Sequence, residues 1–194
     1  SVTSIEEYAF DGCSGLTSVV IPNSVTNIGH FAFRNCSVMA LVTISSNVKS
    51  IGDGVFRGCS GLTSVTIPDS VTYIGYGAFD GCSGLVSLKI SNSVTSIGTY
   101  AFSGCAGLTS VTIPNSVMSI DHSAFRNCTG LTSVTIGNSV ASIGDYAFAY
   151  CSELTDVYCY AEKVPSTDSK AFYGSDVEYA TLHMPAVSIE DYKS

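Results

Sequence analysis

The sequence predicts a solenoid of stacked 23-residue coils, of mixed α/β class, with a parallel sheet along one face and short helical turns and loops along the other. Three observations carry that expectation. Cys13, Cys36, Cys59, Cys82, Cys105, Cys128 and Cys151 recur every 23 residues. Phe10, Phe33, Phe56, Phe79, Phe102, Phe125 and Phe148 keep the same interval, as do Ile28, Ile51, Ile74, Ile97, Ile120 and Ile143. The remaining apolar residues also hold fixed positions in the period, so one unit recurs, and stacking against its neighbours buries a face that it could not bury alone.

Counted from Leu16, complete units span 16–38, 39–61, 62–84, 85–107, 108–130 and 131–153. Residues 1–15 match only the second part of a unit, 154–178 form a degenerate unit of 25 residues, and 179–194 match only a beginning and read as a C-terminal cap. The whole chain is thus one solenoid domain. It begins mid-unit at Ser1, which leaves the first coil open and predicts a piece of a longer protein.

The elements of a unit follow in order, as in LTSVTIPNSVMSIDHSAFRNCTG at 108–130. Its fourth and sixth positions are apolar and alternate with polar neighbours, the period-two signature of a short strand with one buried face. Pro22, Pro68, Pro114 and Gly137 follow at the seventh position, where a missing N–H or a turn ends the ladder. Position 14 is Gly29, Gly52, Gly75, Gly98 and Gly144, with Asp121 in the remaining unit, which predicts a turn at positive φ. The Ala-Phe-x-x-Cys segment, such as Ala124, Phe125 and Cys128, then spaces its apolar residues as one inward-facing turn of 3₁₀ or α-helix does.

Composition narrows the function. Of 194 residues 45% are apolar, ample for a core, while only 12% are charged, so hydroxyls must cover the surface. A net charge of −8 opposes nucleic acid and anionic lipid. No apolar run approaches the roughly 20 residues of a membrane span, so no transmembrane segment is expected. From Glu153 onward the net charge is −5, an acidic end suited to solvation or to a basic or divalent partner.

The slots of L-x-x-L-x-L-x-x-N are held by Leu62, Val65, Ile67 and Ser70, with serine in place of asparagine. LTSVTIPNSV followed by SIGxxAFxxC closely resembles the BspA-like class of leucine-rich repeats, and the resemblance covers essentially the whole chain. ATLHMPAVSIEDYKS at 180–194 is also similar to the way bacterial members close their arrays. The resemblance implies a right-handed solenoid and a non-enzymatic, extracellular or cell-surface role in adhesion and protein binding. Eight strands at about 4.8 Å would give a sheet of roughly 34 Å.

Candidate chemistry is sparse. Eight cysteines raise disulfides, metal ligation and packing as readings. Stacked side chains that point alike rarely reach disulfide torsion, and zinc lacks convergent ligands or any CxxC pair, so buried, unreactive thiols are expected, Cys159 included at a strand position. His30 and His122 share position 15 four coils apart, about 19 Å, and cannot share a ligand. No metal site, nucleophilic pair, phosphate cradle or cofactor is indicated. Asn35 and Asn127 open N-x-S/T sequons but precede core cysteines and read as turn residues.

Function is therefore sought on the surface columns. Outward strand positions are mostly Ser and Thr, except near the C-terminus, where Asp156, Tyr158, Thr181 and His183 project together and Tyr160 follows. Tyrosine offers large amphipathic contact area, which makes these five residues the candidate binding patch, with an end cap as the plainer alternative. Position 16 carries Tyr8, Phe31, Tyr100 and Tyr146, read as packing over the coil, and Asp11, Arg34, Arg57 and Asp80 at position 19 should pair across coils. A protein partner, either host matrix or another surface protein, is expected. A structural spacer and a glycan-binding module are the alternatives.

Overall fold

The computed structural model describes residues 1–175 and 180–184. Sixteen short strands run along the described residues: β1 (Ser4–Ile5), β2 (Ser18–Val20), β3 (Asn27–Ile28), β4 (Leu41–Thr43), β5 (Ser50–Ile51), β6 (Ser64–Thr66), β7 (Tyr73–Ile74) and β8 (Ser87–Lys89). They continue as β9 (Ser96–Ile97), β10 (Ser110–Ile113), β11 (Ser119–Ile120), β12 (Ser133–Ile136), β13 (Ser142–Ile143), β14 (Asp156–Cys159), β15 (Ser166–Thr167) and β16 (Thr181–His183). Even-numbered strands form the expected parallel sheet, in two four-stranded blocks, β2 to β8 and β10 to β16. Partners lie one period apart, as in Val19 opposite Val42 and Val134 opposite Val157.

Odd-numbered strands form a second parallel ladder, with β1 beside β3 and β5 to β15 in one six-stranded block. The sequence reading marked its isoleucines as core but not as strand. Each strand is only two residues long, too short to show a period of two, and only pairing with the next coil defines it.

No helix occurs among the described residues, so the solenoid is all-β, and the expected α/β class with helical turns is corrected. The reason lies in the backbone of the Ala-Phe-x-x-Cys segment. Phe31 and Asn35 take φ of 56° and 57°, and the same two columns are left-handed in coil after coil, through Gly54, Gly58, Tyr100, Gly104, Ser123 and Asn127. A left-handed residue every fourth position interrupts any right-handed helical run. The segment becomes a series of tight turns instead. Ala32, Arg34 and Cys36 donate to carbonyls three residues back, while Phe31, Phe33 and Asn35 donate to Asp53, Val55 and Arg57 of the next coil.

The position-14 glycines are corrected as well. They are not at positive φ. At Gly75, Gly98 and Gly144 an added Cβ would lie 2.7–2.8 Å from atoms of the preceding coil, so glycine is required there by close approach. Gly52 is the exception, with nothing nearer than 3.6 Å.

The core is columnar. Rings from Phe10 to Phe148, ending on Phe172, stack in parallel at centroid separations of 5.1–5.6 Å. Beside them the seven column cysteines are free thiols. They do more than fill a corner: the thiols of Cys36, Cys59, Cys82, Cys105, Cys128 and Cys151 donate to the carbonyls of Phe10, Phe33, Phe56, Phe79, Phe102 and Phe125 at 3.1–3.4 Å. In the irregular unit the Ser175 hydroxyl takes the same role, donating to Phe148 O at 2.7 Å.

Two outcomes follow. Gly98→Ala should destabilise the fold by about 1–3 kcal/mol through overpacking against backbone, whereas Gly52→Ala should be near neutral; thermal unfolding of the two variants checks the contrast. Burial pushes the Cys59 and Cys151 thiols up to about 12. Half-buried Cys13 should therefore react first with a thiol reagent in the native protein, and the buried column only as the solenoid opens, which peptide mapping of a labelling time course resolves.

Candidate functional site

Parallel pairing of β14 with β16 builds the C-terminal patch. Asp156 lies opposite Thr181, Val157 opposite Leu182 and Tyr158 opposite His183, a step of 25 residues rather than 23. Because side chains alternate, Asp156, Tyr158, Thr181 and His183 share the outer face, continuing the rungs of Ser133 and Thr135 on β12.

Their contacts are specific. His183 Nε2–H donates to Asp156 Oδ1 at 3.0 Å, and the Thr155 hydroxyl donates to Oδ2 at 2.9 Å. The His183 ring lies flat on Tyr158, with centroids 4.1 Å apart and planes within 7°. The histidine and threonine hydrogen bonds hold the Asp156 carboxyl below the usual carboxylate range. Tyr160, 50% exposed, follows the end of β14, and its amide donates to Ile136 O. Four of the five candidate residues thus form one ladder cluster, with Tyr160 at its edge. The proposed cap lies outside the described residues apart from 180–184.

The other candidates separate. His30 accepts the Asp53 amide on Nδ1 at 3.1 Å, while His122 packs between Tyr100 and Tyr146. Arg34 grips Asp11 with two hydrogen bonds, at 2.9 and 2.6 Å, and Arg57 pairs with Asp80 at 3.1 Å. Among the described residues no group of three His, Cys, Asp or Glu converges on a point. No helix among the described residues is long and apolar enough to cross a membrane.

The position-16 column divides. Tyr8 stacks on Phe31 at 5.2 Å, and the Phe31 ring occupies the space a Gly54 side chain would need. Farther on, Tyr76 and His122 from position 15 interleave with Tyr100 and Tyr146 from position 16 to form one aromatic row. A column-by-column reading missed this row because its rings alternate between two columns. The visible signal was an aromatic at one or the other position on successive coils.

Coils that pair only with their neighbours, share a columnar core and present flat outer rungs define a solenoid repeat scaffold. The BspA type leucine-rich repeat region matches in six copies over residues 1–95 and 73–193, and the chain belongs to that family. Among solved structures, a T. pallidum leucine-rich repeat protein is 33% identical with a TM-score of 0.73, matching 79% of this chain and 72% of its own. A leucine-rich repeat protein from Eubacterium ventriosum is 30% identical with a TM-score of 0.77, over 88% of this chain and 45% of its own. One from Bacteroides ovatus is 26% identical with a TM-score of 0.64, over 95% and 65%. No curated protein matches the chain.

Asp156 sets an acid response. Its folded pKa is lowered, so its contribution is present above the ordinary carboxylate value near 4 and is lost as pH falls through the folded value. Asp156→Asn should flatten the acid limb of stability against pH and leave His183 mobile at neutral pH; thermal unfolding from pH 2 to 7, with NMR of the His183 ring, checks both.

Proposed function

We propose that this chain is a non-enzymatic interaction module, extracellular or displayed on a cell surface, that binds a protein partner through the outer face of the even-numbered sheet. The observation that carries the reading is the Tyr158–His183 stack, held by Asp156 on rigid ladder strands. An aromatic pair fixed before binding loses little side-chain freedom on association and suits a hot spot. Tyr160 and Thr181 flank it, and the Ser and Thr rungs beyond supply hydrogen-bonding capacity without burying charge. The partner is a host matrix protein or another surface protein, the role is adhesive, and no cofactor takes part.

The uniform rungs of Ser110, Thr112, Ser133 and Thr135 favour a second reading, a spacer that holds other domains away from a surface. Panels of matrix proteins and glycans, probed with wild type and with Tyr158→Ala plus Tyr160→Ala, separate the two. Loss of a protein signal by about tenfold or more is expected, which corresponds to about 1.4 kcal/mol. Binding to glycans alone would replace this reading by a lectin-like one, and no binding in the complete protein would favour the spacer.

A further inference from the structure

The even-numbered sheet is interrupted once. β8 and β10 stand on successive coils, yet among the described residues they share no ladder pairing, and one block of the sheet ends where the other begins. Elsewhere a threonine straps each coil to the one before it. Thr63, Thr132 and Thr155 donate their amides to Ala40, Thr109 and Thr132 carbonyls at 3.2, 2.9 and 2.9 Å, and their hydroxyls reach the same oxygens at 3.2, 2.9 and 3.2 Å. Thr109 holds the equivalent position but reaches the Val86 carbonyl with neither group. Ile67 donates to Lys89 O at 2.8 Å, whereas the Ile90 amide makes no such bond to Thr112. The same two coils are joined on their other sides. β9 pairs with β11, Met118 donates to Thr95 O at 2.9 Å, and Tyr100, Phe102 and Gly104 donate to His122, Ala124 and Arg126 carbonyls at 2.7–3.0 Å. Inside, Phe102 stacks on Phe125 at 5.2 Å.

Two residues account for the gap. Leu88 stands where the adjoining coils have Val65 and Val111, and its longer side chain is half-buried while theirs are buried. Ser91 takes the place of Pro68 and Pro114, and its hydroxyl oxygen accepts the Ser93 amide at 3.2 Å, a local bond that competes with ladder geometry. Ile90, between them, is 8% exposed, against 1% for Ile67 and Ile113. The coil at 39–61 separates the two causes. It also has serine at the proline position, Ser45, and its Ile44 is likewise 8% exposed and donates to no carbonyl of the next coil. It keeps valine, Val42, at the Leu88 position, and there Thr63 holds both its bonds and Leu41 stays paired with Ser64. Serine alone loosens the rung, and leucine opens it.

We infer that the solenoid bends at this seam, with the odd-numbered ladder as the hinge and the sheet face opening between β8 and β10. Ladder bonds hold successive coils at a fixed rise, so a coil interface bonded on every side but one is compliant on that side. Opening there breaks no strand pairing, whereas opening at any other rung of the even-numbered sheet does. The two halves of the face differ in chemistry. Val20 and Leu41, 72% and 51% exposed, lie on β2 and β4, while Asp156, Tyr158 and His183 lie beyond the seam on β14 and β16. Bending changes the angle between the halves and leaves each intact, as hinge motions do. On the binding reading above, a partner that touches both halves selects one angle. The hinge itself needs no partner.

Amide exchange followed by NMR on the full chain locates the opening. Relative to their intrinsic rates, Thr109 and Ile90 should exchange at least tenfold faster than Thr132 and Ile67. Dipolar EPR then measures the bend, with nitroxides on unnatural side chains so that the native thiols stay untouched. Ser64 with Ser133 on the sheet face and Tyr73 with Ser142 on the odd-numbered ladder span the same coils, each pair about 14 Å apart at three rises of ~4.8 Å. The sheet-face pair should give the broader distribution, with a tail to longer distance. Leu88→Val with Ser91→Pro, which restores the residues of the adjoining coils, should narrow it and slow exchange at Thr109 and Ile90 at least tenfold. Equal widths on the two sides, Thr109 and Ile90 as protected as Thr132 and Ile67, or a sheet-face distribution that the double variant leaves unchanged overturns the inference. No readout involves Tyr158 or a partner, so failure of the hinge and failure of the sheet-face binding reading are distinguishable.

Discussion

The structure depends on one distance, the rise from coil to coil. Parallel ladders fix that rise near 4.8 Å through backbone hydrogen bonds. Aromatic rings stacked in parallel accept nearly the same separation, and the phenylalanine column does so at 5.1–5.6 Å through eight coils. Each side chain therefore meets its own counterpart one coil above, and a substitution must satisfy two neighbours of its own kind. This is why Gly98 and Gly144 at position 14 are dictated by the preceding coil's backbone rather than by their own dihedral angles. It is also why a thiol suits the corner beside phenylalanine. A small apolar group that can still donate satisfies a buried carbonyl of the coil before it, and a buried carbonyl left unmatched costs about 1–3 kcal/mol.

The same constraint explains what was legible in the sequence. Phe33, Cys36 and Ile28 could be placed inside from their interval alone, because a column in a solenoid is a column in the sequence. The outward position of Asp156 and Tyr158 followed from alternation along a four-residue strand. The route of the chain between strands was less legible. Phe31 is a residue a helical turn accepts, and nothing in its identity announces a left-handed backbone, although Asn35, of a type that tolerates that conformation, and Gly54 and Gly58 in the same columns were available signs. Ser175 escaped notice because the lengthened unit shifts it out of the 23-residue register, and only its bond to Phe148 O shows that it stands for cysteine.

Geometry added to the candidate patch what spacing could not. Arithmetic put Tyr158 and His183 side by side, but a parallel pair of outward residues can diverge into solvent or lie together. Here the rings lie together because Asp156, two residues before Tyr158, catches the far nitrogen of the imidazole and turns it flat. The aromatic row on the turns was hidden for the opposite reason. Its members alternate between two sequence columns that converge in space once position 16 is left-handed, so a rule that reads one column at a time sees gaps where the surface is continuous.

A solenoid turns sequence period into a linear array of equivalent sites, and that bears on how such a chain could bind. A compact domain concentrates contact energy at one centre. Here the core needs most of each repeat, and only the outward rungs and the turn residues are free to vary without disturbing a neighbour. On the rungs, serine and threonine give way to Val20, Leu41 and Lys89 in the early coils and to Asp156, Tyr158 and His183 together in the last ones. On the turns variation extends from Tyr76 to Tyr173, where aromatic rings meet edge to face along successive coils. Contacts spread along an axis are weak singly and become effective together, since each engaged site raises the local concentration for the next.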